Sequence, residues 1–145
     1  MDLSYIYLEK NTNMVLLENL KLLVNLASMD GNLTENEKDY IRNIAKANGF
    51  PTSSAETLFY NSHEIVIPDK LTADQKFEYV FTLVQLMKVD ERLFENEIKF
   101  CSGIIKKLGY RAEVMAELII HISKAPMAAE KKEALKKSSA KFLVG

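Results

Sequence analysis

The sequence of 145 residues has one cysteine, Cys101. A single thiol excludes an internal disulfide framework and a cysteine-based zinc site. Glycine and proline are scarce, at five and three, which favours long regular elements over a loop-rich fold. The net charge is only −1, so no global field draws the chain toward nucleic acid or membrane. No apolar run is long enough to span a bilayer; "AELIIHI" is the buried stripe of a helix. The opening stretch, "MDLSYIYLEKNTNM", lacks the basic and apolar regions of a secretory signal. A cytoplasmic protein is expected. No phosphate-cradling glycine loop is present. Cys101 lies on an apolar helical stripe, where a core thiol is the ordinary reading. His63 sits in a linker, and His121 lies beside another apolar stripe. Two histidines so placed make no recognisable zinc or Cys–His constellation. A non-enzymatic role follows.

What the chain does have is helical periodicity. It is 48% hydrophobic and 27% charged, an ordinary balance for a globular protein, and its length suits a single domain over 1–145. In "MVLLENLKLLVNLASMD", Leu16, Leu20, Leu23, Val24 and Ala27 share one face. "TENEKDYIRNIAKANGFP" follows, with Thr34 and Glu37 spaced as a capping box. Its stripe is Tyr40, Ile41, Ile44 and Ala45, and Gly49 and Pro51 stop it. "TSSAETLFYNS" reads as a short third helix capped by Thr52 or Ser53. "HEIVIPDK" is an extended linker. A second box, Thr72 to Gln75, opens a fourth helix with Phe77, Val80, Phe81, Val84 and Met87 inward. The fifth, "ENEIKFCSGIIKKLG", buries Ile98, Cys101, Ile105 and Leu108 and ends at Gly109. The sixth, "RAEVMAELIIHISKA", stops at Pro126. "AAEKKEALKKSSAKFL" is the seventh. The fold expected is all-α, with about seven helices on short connections.

A shift of sixty residues aligns the chain with itself. "MDGNLTENE" falls on "VDERLFENE", with Asp30 on Asp90, Leu33 on Leu93, and Glu35, Asn36 and Glu37 on Glu95, Asn96 and Glu97. Leu23, Val24 and Leu26 fall on Leu83, Val84 and Leu86, and Gly49 falls on Gly109. The pattern reads as a duplicated helix–corner–helix unit: repeat 1 over 14–50, repeat 2 over 72–110, then C-terminal helices over 111–143. Each copy exposes an apolar stripe. Packing the two copies together as a pseudo-two-fold bundle would bury both.

The acidic corner is not an EF-hand loop. Leu26 and Ser28 occupy the first and third loop positions, where oxygen ligands belong, and Glu91 replaces the turn glycine. The twice-given pattern, apolar helix, Asp-Gly-x-Leu-x-x-x-Glu, amphipathic helix, instead resembles the TerB-like domains of tellurite-resistance proteins. The residues that carry the resemblance are "ASMDGNLTENEKDYI" and "MKVDERLFENEIKF", within 14–125. The resemblance implies an all-helical module acting in tellurite or other stress response. It also implies divalent-metal binding at Asp30, Glu37, Asp90 and Glu97. Glu91 stands where the family has glycine. No J-domain motif is present, so the co-chaperone role of some such proteins does not carry over.

A simpler account stands beside this one. Asp30 can shape a turn, and Glu37 can close a capping box at a helix N-terminus. Phe94 stands where Thr34 stands, however, so the second box has lost its hydroxyl while Asp90 and Glu97 remain. Four converging carboxylates would repel one another and ask for a cation. An all-oxygen site suits Mg²⁺, Ca²⁺ or Mn²⁺. Without a metal, the corners would serve a protein-interaction adaptor as an acidic docking surface for a protein partner. The chain's end is basic: from Lys106 to Gly145, nine Lys or Arg face four Glu. A solvated face is the usual meaning. Contact with an anionic surface through Lys131, Lys132, Lys136 and Lys137 is the sharper one. Among the lysines of the last helix no aromatic residue is interleaved before Phe142, so specific nucleic-acid binding is not expected.

Overall fold

The computed structural model describes residues 3–89 and 94–144, with side chains described from Asn13 onward in the first helix. Among the described residues the chain is all-α, with seven helices and one isolated β-bridge. No described helix is long and apolar enough to cross a membrane. The chain forms two compact units, Met1–Pro68 and Asp69–Gly145.

The first unit holds α1 (Leu3–Ala27), α2 (Glu35–Ala47) and α3 (Thr52–Leu58). α1 begins at Leu3, well before the apolar periodicity becomes readable at Met14. Asn11, Thr12 and Asn13 are weak helix formers that mask the continuity. Leu20, Leu23, Val24 and Ala27 are buried as expected, and Leu16 is half-buried. Val15, Leu22 and Leu26 are buried as well, so the covered face is wider than a single stripe. α2 carries the expected capping box: the Thr34 hydroxyl accepts from the Glu37 N–H at 3.2 Å, and Glu37 Oε1 accepts from the Thr34 N–H at 3.0 Å. Ile41 and Ala45 are buried, while Tyr40 and Ile44 are half-buried.

α3 starts at Thr52, but neither Thr52 nor Ser53 caps it. Pro51 holds the cap position at φ −60 with no side-chain cap bond, and its carbonyl accepts from the Ala55 N–H at 3.0 Å. The proline ring presets that φ without help from a hydroxyl. From Ser62 to Pro68 the chain has no helix, turn or bend. The Asn25 side chain donates to the His63 carbonyl at 2.9 Å and accepts from the His63 N–H at 3.4 Å.

The second unit holds α4 (Ala73–Met87), α5 (Glu95–Lys107), α6 (Val114–His121) and α7 (Ala129–Ala140). The Thr72–Gln75 box is present at the start of α4. Phe77, Val80, Phe81, Val84 and Met87 are buried as expected, and so is every residue from 79 to 87. A helix covered on all faces is a core element. α5 buries Cys101, Ile104 and Ile105, with Leu108 just beyond it, whereas Ile98 is only half-buried.

α6 ends at His121, short of the expected stop at Pro126. Ile122 turns extended (φ −94, ψ 121) and is fully buried. Gln85 Nε2 donates to the carbonyls of Ser123 and Ala125, each at 3.0 Å. Lys88 Nζ donates to the Ile119 carbonyl. Gln85 of α4 and Lys88 just beyond it therefore hold the end of α6 and the segment that follows.

α7 buries little, chiefly Leu135 and Ser139. Ion pairs join it to α4: Lys132 to Glu78 at 2.7 Å and Lys136 to Asp74 at 3.1 Å. Lys132 Nζ also sits 4.5 Å from the Phe81 ring centroid. Beyond α7, Tyr110 and Leu143 form an antiparallel bridge. The Arg111 N–H donates to the Phe142 carbonyl and the Val144 N–H to the Gly109 carbonyl, both at 2.7 Å.

Local features recur at the sixty-residue offset. α1 and α4 end at Ala27 and Met87; α2 and α5 span Glu35–Ala47 and Glu95–Lys107. Each shorter helix then stops at a left-handed glycine, Gly49 at φ +74 and Gly109 at φ +96. The N–H of Phe50 reaches back to Ala45, and that of Tyr110 to Ile105, at 2.9 and 3.1 Å. Both are Schellman closures.

Candidate functional site

The first acidic corner joins α1 to α2. The Gly31 N–H donates to the Ser28 carbonyl at 3.0 Å, and Gly31 takes φ +83. Such a backbone favours glycine because an L side chain is strained there. Asp30 Oδ1 accepts from the Asn32 N–H at 3.0 Å, closing an Asx turn. Seven residues after Asp30, Glu37 Oε1 accepts both the Thr34 N–H at 3.0 Å and the Thr34 hydroxyl at 2.9 Å. Glu37 is 3% exposed. Asp30 and Glu37 thus share one corner, where each carboxylate holds nearby backbone.

Two of the four expected metal residues belong to the second corner. Glu97 is buried on α5, where Phe94 supplies no side-chain cap bond and the Glu97 N–H instead donates to Asn96 Oδ1 at 3.0 Å. Asp90 lies outside the described residues, as do Glu91 and Leu93. Among the described residues no group of three His, Cys, Asp or Glu side chains is placed to hold a metal ion.

The exposed face of α2 bears an ionic cluster centred on Arg42. Its Nη1 donates to Asp39 at 2.8 Å and to Glu35 at 3.3 Å. Its Nε and Nη2 engage the two carboxylate oxygens of Glu56 on α3, the second at 3.2 Å. The guanidinium also lies 5.3 Å from the Phe59 ring centroid. The hydrogen bond from Arg42 lowers the Glu56 pKa below its usual value, against a smaller opposing effect of burial. The hydrogen bond to Glu56 likewise raises the Arg42 pKa. Asp39 and Arg42 sit at a helical i,i+3 spacing that a sequence makes visible. Glu56 lies fourteen residues from Arg42, and no local pattern announces that pair.

The other candidates fall into place plainly. Cys101 is fully buried. Burial, and then the charge of Glu97, push its thiol up to about 12. A thiol held protonated is a poor nucleophile. The half-buried His63 places Nε2 at 2.8 Å from the Leu58 carbonyl, and His121 is exposed at the end of α6. In the basic tail, Lys132 and Lys136 face carboxylates of α4, whereas Lys131 and Lys137 are exposed.

Comparison with protein-family models, with curated proteins and with solved structures finds no match to this chain.

Proposed function

We propose that the chain is a non-enzymatic, TerB-like helical interaction module, working in the cytoplasm in tellurite or other stress response, with its acidic corner as a docking surface for a protein partner. The observation that carries this reading is the use made of the corner's own acids. Glu37 gives Oε1 to the Thr34 cap and Asp30 gives Oδ1 to the Asn32 N–H. These bonds fix the backbone from which the exposed Asp30, Glu35 and Asp39 project. A rigid corner bearing outward charge suits recognition, because little order is lost on binding. The unit Met1–Pro68 carries nine acidic residues against five basic, a net −4, so the fitting partner surface is basic. Recurrence of helix ends and glycine stops at one offset supports an internal duplication of this unit.

The competing reading is a divalent-ion site shared by Asp30, Glu37, Asp90 and Glu97. Melting in matched ionic strength with Mg²⁺, Ca²⁺ or Mn²⁺ separates the two. The docking reading expects no ion-specific shift in the wild type, in Asp30→Asn or in Asp90→Asn. An ion bound only to the folded state would add about 2.7 kcal/mol at a hundredfold excess over Kd. Such a shift, lost in both variants, would replace the docking reading with the metal site.

A further inference from the structure

The stretch between α3 and α4 looks like a passive linker in sequence, yet it has the properties of a recognition strand. Residues 64–67 run without helix, turn or bend, and neither their N–H nor their C=O groups make a hydrogen bond among the described residues. Ile65 and Val66 are 39% and 43% exposed. The run is nevertheless fixed at both ends. His63 is clamped through its N–H and C=O by the Asn25 amide, and Pro68 is buried. An exposed strand with open backbone groups is a template for another strand. Holding it rigid in advance lowers the cost of pairing. Beside it lies a cleft of about 460 Å³ lined by Asn25, Ser28, Tyr60, Asn61 and Ile65 among others. Strand addition takes its affinity from main-chain bonds and its specificity from pockets that receive alternate side chains.

We propose that residues 64–67 form a β-augmentation site for an extended, basic segment of a partner protein, one of whose side chains enters the Asn25–Tyr60 cleft. The unpaired backbone calls for a second strand. The net −4 of Met1–Pro68 and the exposed Glu64 call for positive charge on it. The site goes beyond the acidic corner, since it uses none of the corner's carboxylates. Asp30→Asn therefore leaves it intact, and either reading can fail without the other.

The test is amide exchange of the full chain with three synthetic probes. The first is acetyl-Lys-Val-Lys-Val-Lys-Val-amide. The second is the same peptide N-methylated at every residue, and the third has Glu for Lys. The first probe should slow exchange within residues 64–67 by about tenfold or more. The methylated probe should not, because it has lost the donors, and the acidic probe should not, because of charge. Val66→Pro, which deletes one N–H from the strand, should abolish the effect while the helical circular dichroism is kept. The methylated probe makes the same test without altering the protein. Three results would overturn the site: no slowing by the first probe, equal slowing by all three, or slowing that persists in Val66→Pro. Protection that rises with protein concentration alone would also overturn it, by naming a second copy as the occupant.

Discussion

At the scale of single residues, two side chains report the state of the fold. Burial and the nearby Glu97 charge raise the Cys101 thiol from its ordinary 9.0 to about 12. Because the folded value lies above the unfolded one, the associated stability is complete below pH 9 and is lost as pH rises toward 12. Ellman's reagent at pH 8 should therefore find no thiol in the native protein and one in denaturant; prompt native labelling would contradict the burial. Glu56 works in the opposite sense. Arg42 lowers its pKa, so its contribution is present above the ordinary value of 4.5 and is lost as pH falls through the folded value. Glu56→Gln should lower stability at neutral pH, leave it little changed in acid, and so flatten the acid limb of a stability–pH curve. Cys101 could be placed from sequence because its neighbours at helical spacing are apolar. The Arg42–Glu56 pair could not, because it depends on how α2 and α3 pack.

At the scale of elements, the legible features are those closed within a few residues. Both capping boxes and both glycine stops are of this kind. Thr34→Ala should cost about 1 kcal/mol, read as a lower denaturation midpoint with unchanged slope. Gly109→Ala should cost about 1–2 kcal/mol, since its φ of +96 strains any L side chain and the added Cβ would meet nothing closer than Lys76 Nζ at 3.7 Å. A neutral result at Gly109 would mean that the closure can rearrange. Part of what escaped the sequence was set at a distance. Where α6 stops, Gln85 of α4 and Lys88 just beyond it bind the carbonyls of Ile119, Ser123 and Ala125. α3 is opened by Pro51 rather than by the hydroxyl that follows it.

At the scale of the whole molecule, the small net charge conceals a division. Met1–Pro68 is net −4, while Asp69–Gly145, with eleven acids and fourteen bases, is net +3. The total of −1 that excluded a global field says nothing of the separate units. Any hold on heparin should come from the second unit and weaken steeply with salt. Lys131→Ala and Lys137→Ala should lower the eluting salt more than Lys132→Ala and Lys136→Ala, whose ammonium groups already face Glu78 and Asp74. The reverse order would show that the ion pairs to α4 give way to a polyanion. The helical class was readable because amphipathic periodicity repeats along most of the chain. The acidic corners were readable as motifs only: spacing revealed that Asp30 and Glu37 belong together, but not that their oxygens turn toward their own backbone.

The bridge between Tyr110 and Leu143 also bears on the order of events during synthesis. Its bonds join Gly109 and Arg111 to Val144 and Phe142, so they close only after residue 144 has cleared the ribosomal exit tunnel. The ties within Met1–Pro68, from the Thr34 cap to the Asn25 clamp on His63, involve nothing made later than Pro68. Domains tend to fold as units in the order of their translation. The nascent chain can thus settle its first unit while the second still lacks its closing bridge. Tyr110 then waits for residues 142–144 to arrive.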